Sequence, residues 1–158
     1  MLKRKIYDKL LEWKRNDSRE CALLIDGARR VGKSYIVEAF AKAEYKSYVI
    51  IDFTNASKSI KDIFLKYISD LDTFFAYLAS LVNVTFYEHE TLIVFDEVQH
   101  FPKAREAIKH LVKDGRYDYI ETGSLVSINE NVKDILIPSE ERDIEMYPMD
   151  FEEFLWAT

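Results

Sequence analysis

Gly27-Ala28-Arg29-Arg30-Val31-Gly32-Lys33-Ser34 satisfies the spacing G-x-x-x-x-G-K-[ST], and each residue type in it has a physical use. Gly27 and Gly32 permit backbone angles that a Cβ would oppose. Successive N–H groups can then turn inward as a nest for phosphate oxygens. Lys33 brings a point charge to the β- and γ-phosphates, and Ser34 offers a hydroxyl to Mg²⁺. The helix that follows, entered at Tyr35, adds the positive end of its dipole. Residues 27–35 are the candidate nucleotide-binding stretch.

A second group follows an apolar run, Leu92-Ile93-Val94-Phe95, which leads into Asp96-Glu97. A carboxylate at the tip of a buried strand can orient metal-bound water while the strand fixes its backbone. Asp96 is therefore the candidate metal ligand beside Ser34. Glu97, one step further, is the candidate general base, polarising a water that attacks the γ-phosphate. Lys33 and Ser124 complete the candidate catalytic set. Ser124 ends the turn Thr122-Gly123-Ser124 just past a strand tip; the position resembles one in the additional-strand class of P-loop ATPases where a polar residue contacts the γ-phosphate or the attacking water, with Thr122 as the reserve candidate. Gln99 and His100 either read the nucleotide state or lie in an exposed loop. No His/Cys cluster suggests zinc, and no nucleophilic triad is visible.

These residues need a frame to bring them together. Cys21–Ile25 is an apolar run suited to a strand buried on both faces. Ile36, Val37, Ala39, Phe40 and Ala43 then have helical spacing, ending near Glu44. Tyr48–Phe53 is a second β-rich run. Two helical stripes follow: Ile60, Ile63, Phe64, Tyr67 and Ile68, then Leu71, Phe74, Phe75, Leu78 and Leu81. Both are expected to be core. Leu92–Phe95 is the third strand. A helix opens at Pro102, turns Ala104, Ala107, Ile108, Leu111 and Val112 inward, and stops at Gly115. Tyr117–Thr122 is the fourth strand. Residues 125–142 read as mostly polar and irregular, apart from Ile135-Leu136-Ile137. Ile144–Tyr147 fits a fifth strand, and Asp150…Glu153 fits a capping box opening a last helix. Residues 3–15 form a leading amphipathic helix with Ile6, Tyr7, Leu10, Leu11 and Trp13 on one face. Strands alternating with helices imply a parallel sheet covered on both sides, with ligands beyond the carboxyl ends of the strands. The phosphate loop, Asp96-Glu97 and Thr122–Ser124 all fall there.

At 158 residues the chain is long enough for one domain with a sizeable core. It has 48% hydrophobic and 32% charged residues, a globular rather than a disordered composition. No apolar run is long enough to span a bilayer. The single cysteine, Cys21, cannot form an internal disulfide, and with a predicted buried setting it points to a reducing cytoplasm. A net charge of −6 argues against broad nucleic-acid binding by this domain. Basic residues (Lys3, Arg4, Lys5, Lys9, Lys14, Arg15) crowd the start, and acidic ones (Glu140, Glu141, Asp143, Glu145, Asp150, Glu152, Glu153) crowd the end. They are either two solvated faces or ends that meet each other or a partner.

Taken together, Gly27–Ser34, Leu92–Gln99, Thr122-Gly123-Ser124 and Tyr147-Pro148-Met149-Asp150-Phe151-Glu152-Glu153-Phe154-Leu155 resemble prokaryotic AAA-superfamily ATPases. The resemblance is to the group whose ATPase domain precedes a C-terminal domain of unknown function. It spans nearly the whole chain. It implies an α/β P-loop NTPase sandwich with strand order 5-1-4-3-2, ATP as ligand, Mg²⁺ as cofactor and Glu97 as base. It also implies that residues 1–158 are the ATPase core, with a lid and a C-terminal region beyond it, and allows a homo-oligomer. Members often carry Gly-Arg before the last strand. Here that stretch reads Ser139-Glu140-Glu141-Arg142, so no arginine finger is assigned. The leading function is a cytoplasmic ATP-hydrolysing switch or motor domain. The alternatives are a small-molecule P-loop kinase and a non-hydrolysing nucleotide-binding interaction module.

Overall fold

A computed structural model describes residues 4–28, 32–124, 141–147 and 149–157. The chain runs α1 (Ile6–Asn16), β1 (Ala22–Asp26), α2 (Lys33–Glu44), β2 (Ser47–Asp52), α3 (Lys58–Lys66) and α4 (Leu71–Val82). It continues through β3 (Thr91–Asp96), a 3₁₀ turn (Val98–His100), α5 (Pro102–Asp114), β4 (Asp118–Gly123), β5 (Glu141–Glu145) and α6 (Phe151–Ala157). The strands form one sheet in the order β2-β3-β4-β1-β5, and every pairing is parallel. Read from the other edge, this is the expected 5-1-4-3-2.

Strand composition explains the layering. Every residue of β1, β3 and β4 is buried, as central strands covered on both faces must be; β1 and β3 are apolar runs, whereas β4 also buries Asp118, Glu121 and Thr122. β2 lies at an edge and alternates between buried and half-buried positions. Successive side chains point to opposite faces. Leu23, Ile25, Val94 and Ile120 therefore meet α1 and α2 through Leu10, Trp13, Ile36 and Phe40. Leu24, Ile93, Phe95 and Tyr119 meet α3, α4 and α5 through Phe64, Phe74, Leu78 and Leu111. On that second face Phe95 makes edge-on contacts with Phe53 and Phe64 at 5.7 and 5.5 Å. The aromatic stripe is core, as its spacing predicts.

The structure corrects several boundaries. The leading helix begins at Ile6, not at residue 3; Arg4 precedes it, with its side chain bonded to Glu153 and to the Tyr147 carbonyl. Cys21 precedes β1 and is only partly buried, so the predicted burial of its thiol does not hold. Ala43 and Leu81 face solvent although their spacing matched the buried stripes. β5 opens at Glu141, so residues 141 and 142 are strand rather than irregular chain. Ile135-Leu136-Ile137 lies outside the described residues. No helix among the described residues is long and apolar enough to cross a membrane.

Candidate nucleotide-binding site

The site lies at the carboxyl ends of β1, β3 and β4, where the parallel register brings their tips level. Asp26 pairs with Gly123, and Asp52 on β2 with Asp96 on β3. Gly27 donates its N–H to the Gly123 carbonyl at 3.3 Å, tying the start of the phosphate loop to the tip of β4. Gly32 ends the loop and caps α2 with φ 98°, a left-handed angle that a side chain would oppose. Arg29, Arg30 and Val31 lie outside the described residues. Ala28 is exposed, and so is Tyr35, which the sequence grouped with the binding stretch.

Strand pleat settles which side of the sheet the candidate residues face. Asp96 and Thr122 share the parity of Val94 and Ile120, so they point toward α2. There Ser34, on the first turn of α2, donates its hydroxyl to Asp96 Oδ1 at 2.9 Å. The Thr122 hydroxyl donates to the same oxygen at 2.5 Å. Thr122 Oγ1 also accepts the Glu97 N–H at 3.1 Å. One hydroxyl thus holds both members of the acidic pair. The sequence placed Thr122 behind Ser124. Thr122 makes these bonds, whereas Ser124 follows the strand and is half-buried.

Glu97 has φ 54° and ψ 51°, a left-handed backbone at a residue with a side chain. Such positions cost about 1–3 kcal/mol and persist where surrounding contacts fix them, often at functional sites. Its N–H is tied to Thr122, and its Oε2 accepts from the Gln99 amide at 2.6 Å. Gln99 is buried and His100 exposed, which separates two residues that the sequence treated alike.

Lys33 is 5% exposed. Its ammonium donates to the carbonyls of Gly27 and Ala28 at 2.5 and 2.9 Å, and it meets no carboxylate among the described residues. A buried cation with only neutral partners favours the arrival of an anion. Hydroxyl and carboxylate oxygens at Ser34 and Asp96 form a hard donor set suited to Mg²⁺. The residues present therefore fit both groups. Among the described residues no cluster of three His, Cys, Asp or Glu side chains forms a separate metal site.

Arg142 lies away from this edge. It pairs with Leu23 early in the strands, and its guanidinium bonds to Asp17. It stands far back along the sheet from the phosphate loop.

A family model described as an AAA domain matches residues 19–155. No curated protein matches the chain by sequence. Among solved structures, a chain of the Drosophila ORC complex bound to AT-rich DNA and Cdc6 superposes with a TM-score of 0.58 at 13% identity, over 94% of this chain and 56% of its own length. The Pif1 helicase from Candida albicans superposes with a TM-score of 0.52 at 14% identity, over 98% of this chain and 42% of its own. At these identities the likeness is one of fold, and this chain spans about half the length of either. The family match, the strand order and the phosphate loop agree: the chain belongs to the AAA domain family, as a P-loop NTPase nucleotide-binding domain.

Proposed function

We propose that this domain binds ATP with Mg²⁺ and hydrolyses it, as the ATPase core of a larger switch or motor protein with a lid and a C-terminal region beyond it. The observation that carries the reading is the junction at Thr122, whose hydroxyl contacts Asp96 and the Glu97 backbone beside Ser34. In this reading the loop from Gly27 to Gly32 cradles phosphates through its N–H groups. Lys33 exchanges its two carbonyl partners for β/γ-phosphate oxygens. Ser34 and Asp96 would hold Mg²⁺, which when bound neutralises charge on those phosphates. Glu97 orients a water and accepts its proton, with its carboxylate steered by Gln99. Thr122 keeps the acidic pair in register, and Ser124 borders the γ-phosphate position.

Product analysis with ATP–Mg²⁺ tests this directly. Phosphate released to water supports hydrolysis. Phosphate recovered on a small acceptor would instead establish a kinase, and bound but intact ATP a non-hydrolysing module.

A further inference from the structure

The phosphate loop is also touched from outside its own motif. Arg4 is 8% exposed, and a Cβ on Gly32 would come within 3.0 Å of its Nη1. Its Nε donates to Glu153 Oε2 at 2.8 Å, and its Nη2 to the Tyr147 carbonyl at 2.8 Å. One planar guanidinium therefore spans the loop's last glycine, the turn after β5 and the last helix. A rigid fork of this kind passes displacement between its partners better than a flexible ammonium does.

Glu153 is equally committed. Its Oε2 also accepts the Lys5 N–H at 2.9 Å, and its Oε1 the Asp150 N–H at 3.1 Å. It is the one buried residue of α6 among those described. Phe151, Phe154, Leu155 and Trp156 are all exposed. A surface helix ordinarily docks by an apolar stripe. Here the docked side chain is a carboxylate, and its charged partner is Arg4.

We propose that Arg4 is a positioning residue for the phosphate loop and that, through Glu153, it transmits nucleotide occupancy to α6. The inference rests on the nucleotide-binding reading above. Phosphate must draw Lys33, which adjoins Gly32, from the Gly27 and Ala28 carbonyls. Gly32 has little room to move without shifting Arg4, and Arg4 cannot shift without pulling on Glu153 and Tyr147. Coupling of this kind is reciprocal: whatever fixes α6 also tightens nucleotide binding.

Hydrogen exchange of the segment 147–157, with and without ATP–Mg²⁺, tests this together with ATP affinity measured separately. In the wild type, nucleotide should slow exchange in this segment. In Arg4→Ala, ATP should bind roughly tenfold to a hundredfold more weakly, as for loss of a charged hydrogen-bond partner, and saturating ATP should leave exchange in the segment unchanged. Arg4→Lys keeps the charge but not the fork; it should bind within a few-fold of wild type and still lose the exchange response. It also serves if the alanine variant does not fold. A merely structural role would lower melting temperature in both variants yet leave the response to saturating ATP intact, which would overturn the proposal. So would a wild-type segment indifferent to ATP that demonstrably binds. Failure of the wild type to bind ATP at all would overturn the nucleotide reading itself, and the coupling with it.

Discussion

Lys33 and Thr122 allow the sharpest single-residue tests. Lys33 is a buried cation with two carbonyl partners, and the proposed function gives it an anion to bind. A ligand at a hundredfold excess over Kd that binds only the native state adds about 2.7 kcal/mol. For a domain of this size that raises melting temperature by about 5–10 °C. Lys33→Ala should lose most of that shift in a melting experiment with millimolar ATP–Mg²⁺. Thr122→Val keeps shape but removes the hydroxyl shared by Asp96 and Glu97. Leaving buried polar atoms unmatched costs about 1–3 kcal/mol. The variant should therefore melt lower and also hydrolyse ATP more slowly than Ser124→Ala, measured side by side as phosphate release. Equal rates in the two variants would place Ser124 on a par with Thr122.

At the scale of elements, acid should loosen the grip on α6. Burial pushes the Glu153 carboxyl up, but the Asp150 and Lys5 N–H groups and the Arg4 guanidinium outweigh it and hold it below its ordinary 4.5. The Lys5 ammonium, aided by the Glu153 N–H, likewise holds Asp150 below 3.8. Carboxylates depressed in the folded state stabilise it above their unfolded values, and this stabilisation is lost as pH falls through the folded ones. Asp118 runs the other way: burial raises it, against hydrogen bonds from Tyr45 and Ser18. Its protonation on acidification relieves part of that cost. Glu153→Gln should thus melt on the order of 5 °C below wild type at pH 7, with the gap closing as pH falls below the ordinary carboxyl value and through the depressed folded one. A gap independent of pH would mean that the charge on Glu153 is immaterial.

The elements themselves were largely legible. Continuous apolar runs mark β1 and β3 because both sheet faces are covered, while β4 carries only Tyr119 and Ile120 between polar residues; Pro102 and Gly115 bound α5 because one lacks an N–H and the other adopts a left-handed angle. What local pattern could not carry is contact across the chain. The charges of Arg4 and Glu153 are visible, but their meeting, 149 positions apart, depends on β5 lying beside β1. Most other charges of the two terminal clusters, among the described residues, are exposed, Lys5 pairing there with Asp150 and Glu152, so solvated faces and meeting ends are each true of part of the set. Thr122 ranked behind Ser124 because motif position says nothing of pleat parity, which turns Thr122 toward Ser34 and Asp96.

For the whole molecule, slow turnover is expected. A positioned arginine is worth about 10³–10⁵ in phosphoryl transfer. Arg142 is bonded to Asp17 far from the phosphate loop, and Arg4 is pinned by Glu153 and Tyr147. The protein should therefore turn over ATP at about 10⁻⁴ to 10⁻² s⁻¹, rising with protein concentration if a second copy supplies the missing charge. Phosphate release measured across a concentration series checks this. A constant rate above about 1 s⁻¹ would place a working arginine within one chain.

Steady-state phosphate release by wild type and Glu97→Gln, at ATP–Mg²⁺ concentrations that saturate both, bears most directly on hydrolysis at this site. Glutamine keeps the size and hydrogen bonding of Glu97 but cannot take a proton. Release should fall by roughly 10²–10⁴-fold, the usual worth of a positioned base, while the ATP-induced melting shift persists. Wild-type release by Glu97→Gln would contradict the assignment of Glu97 as the base.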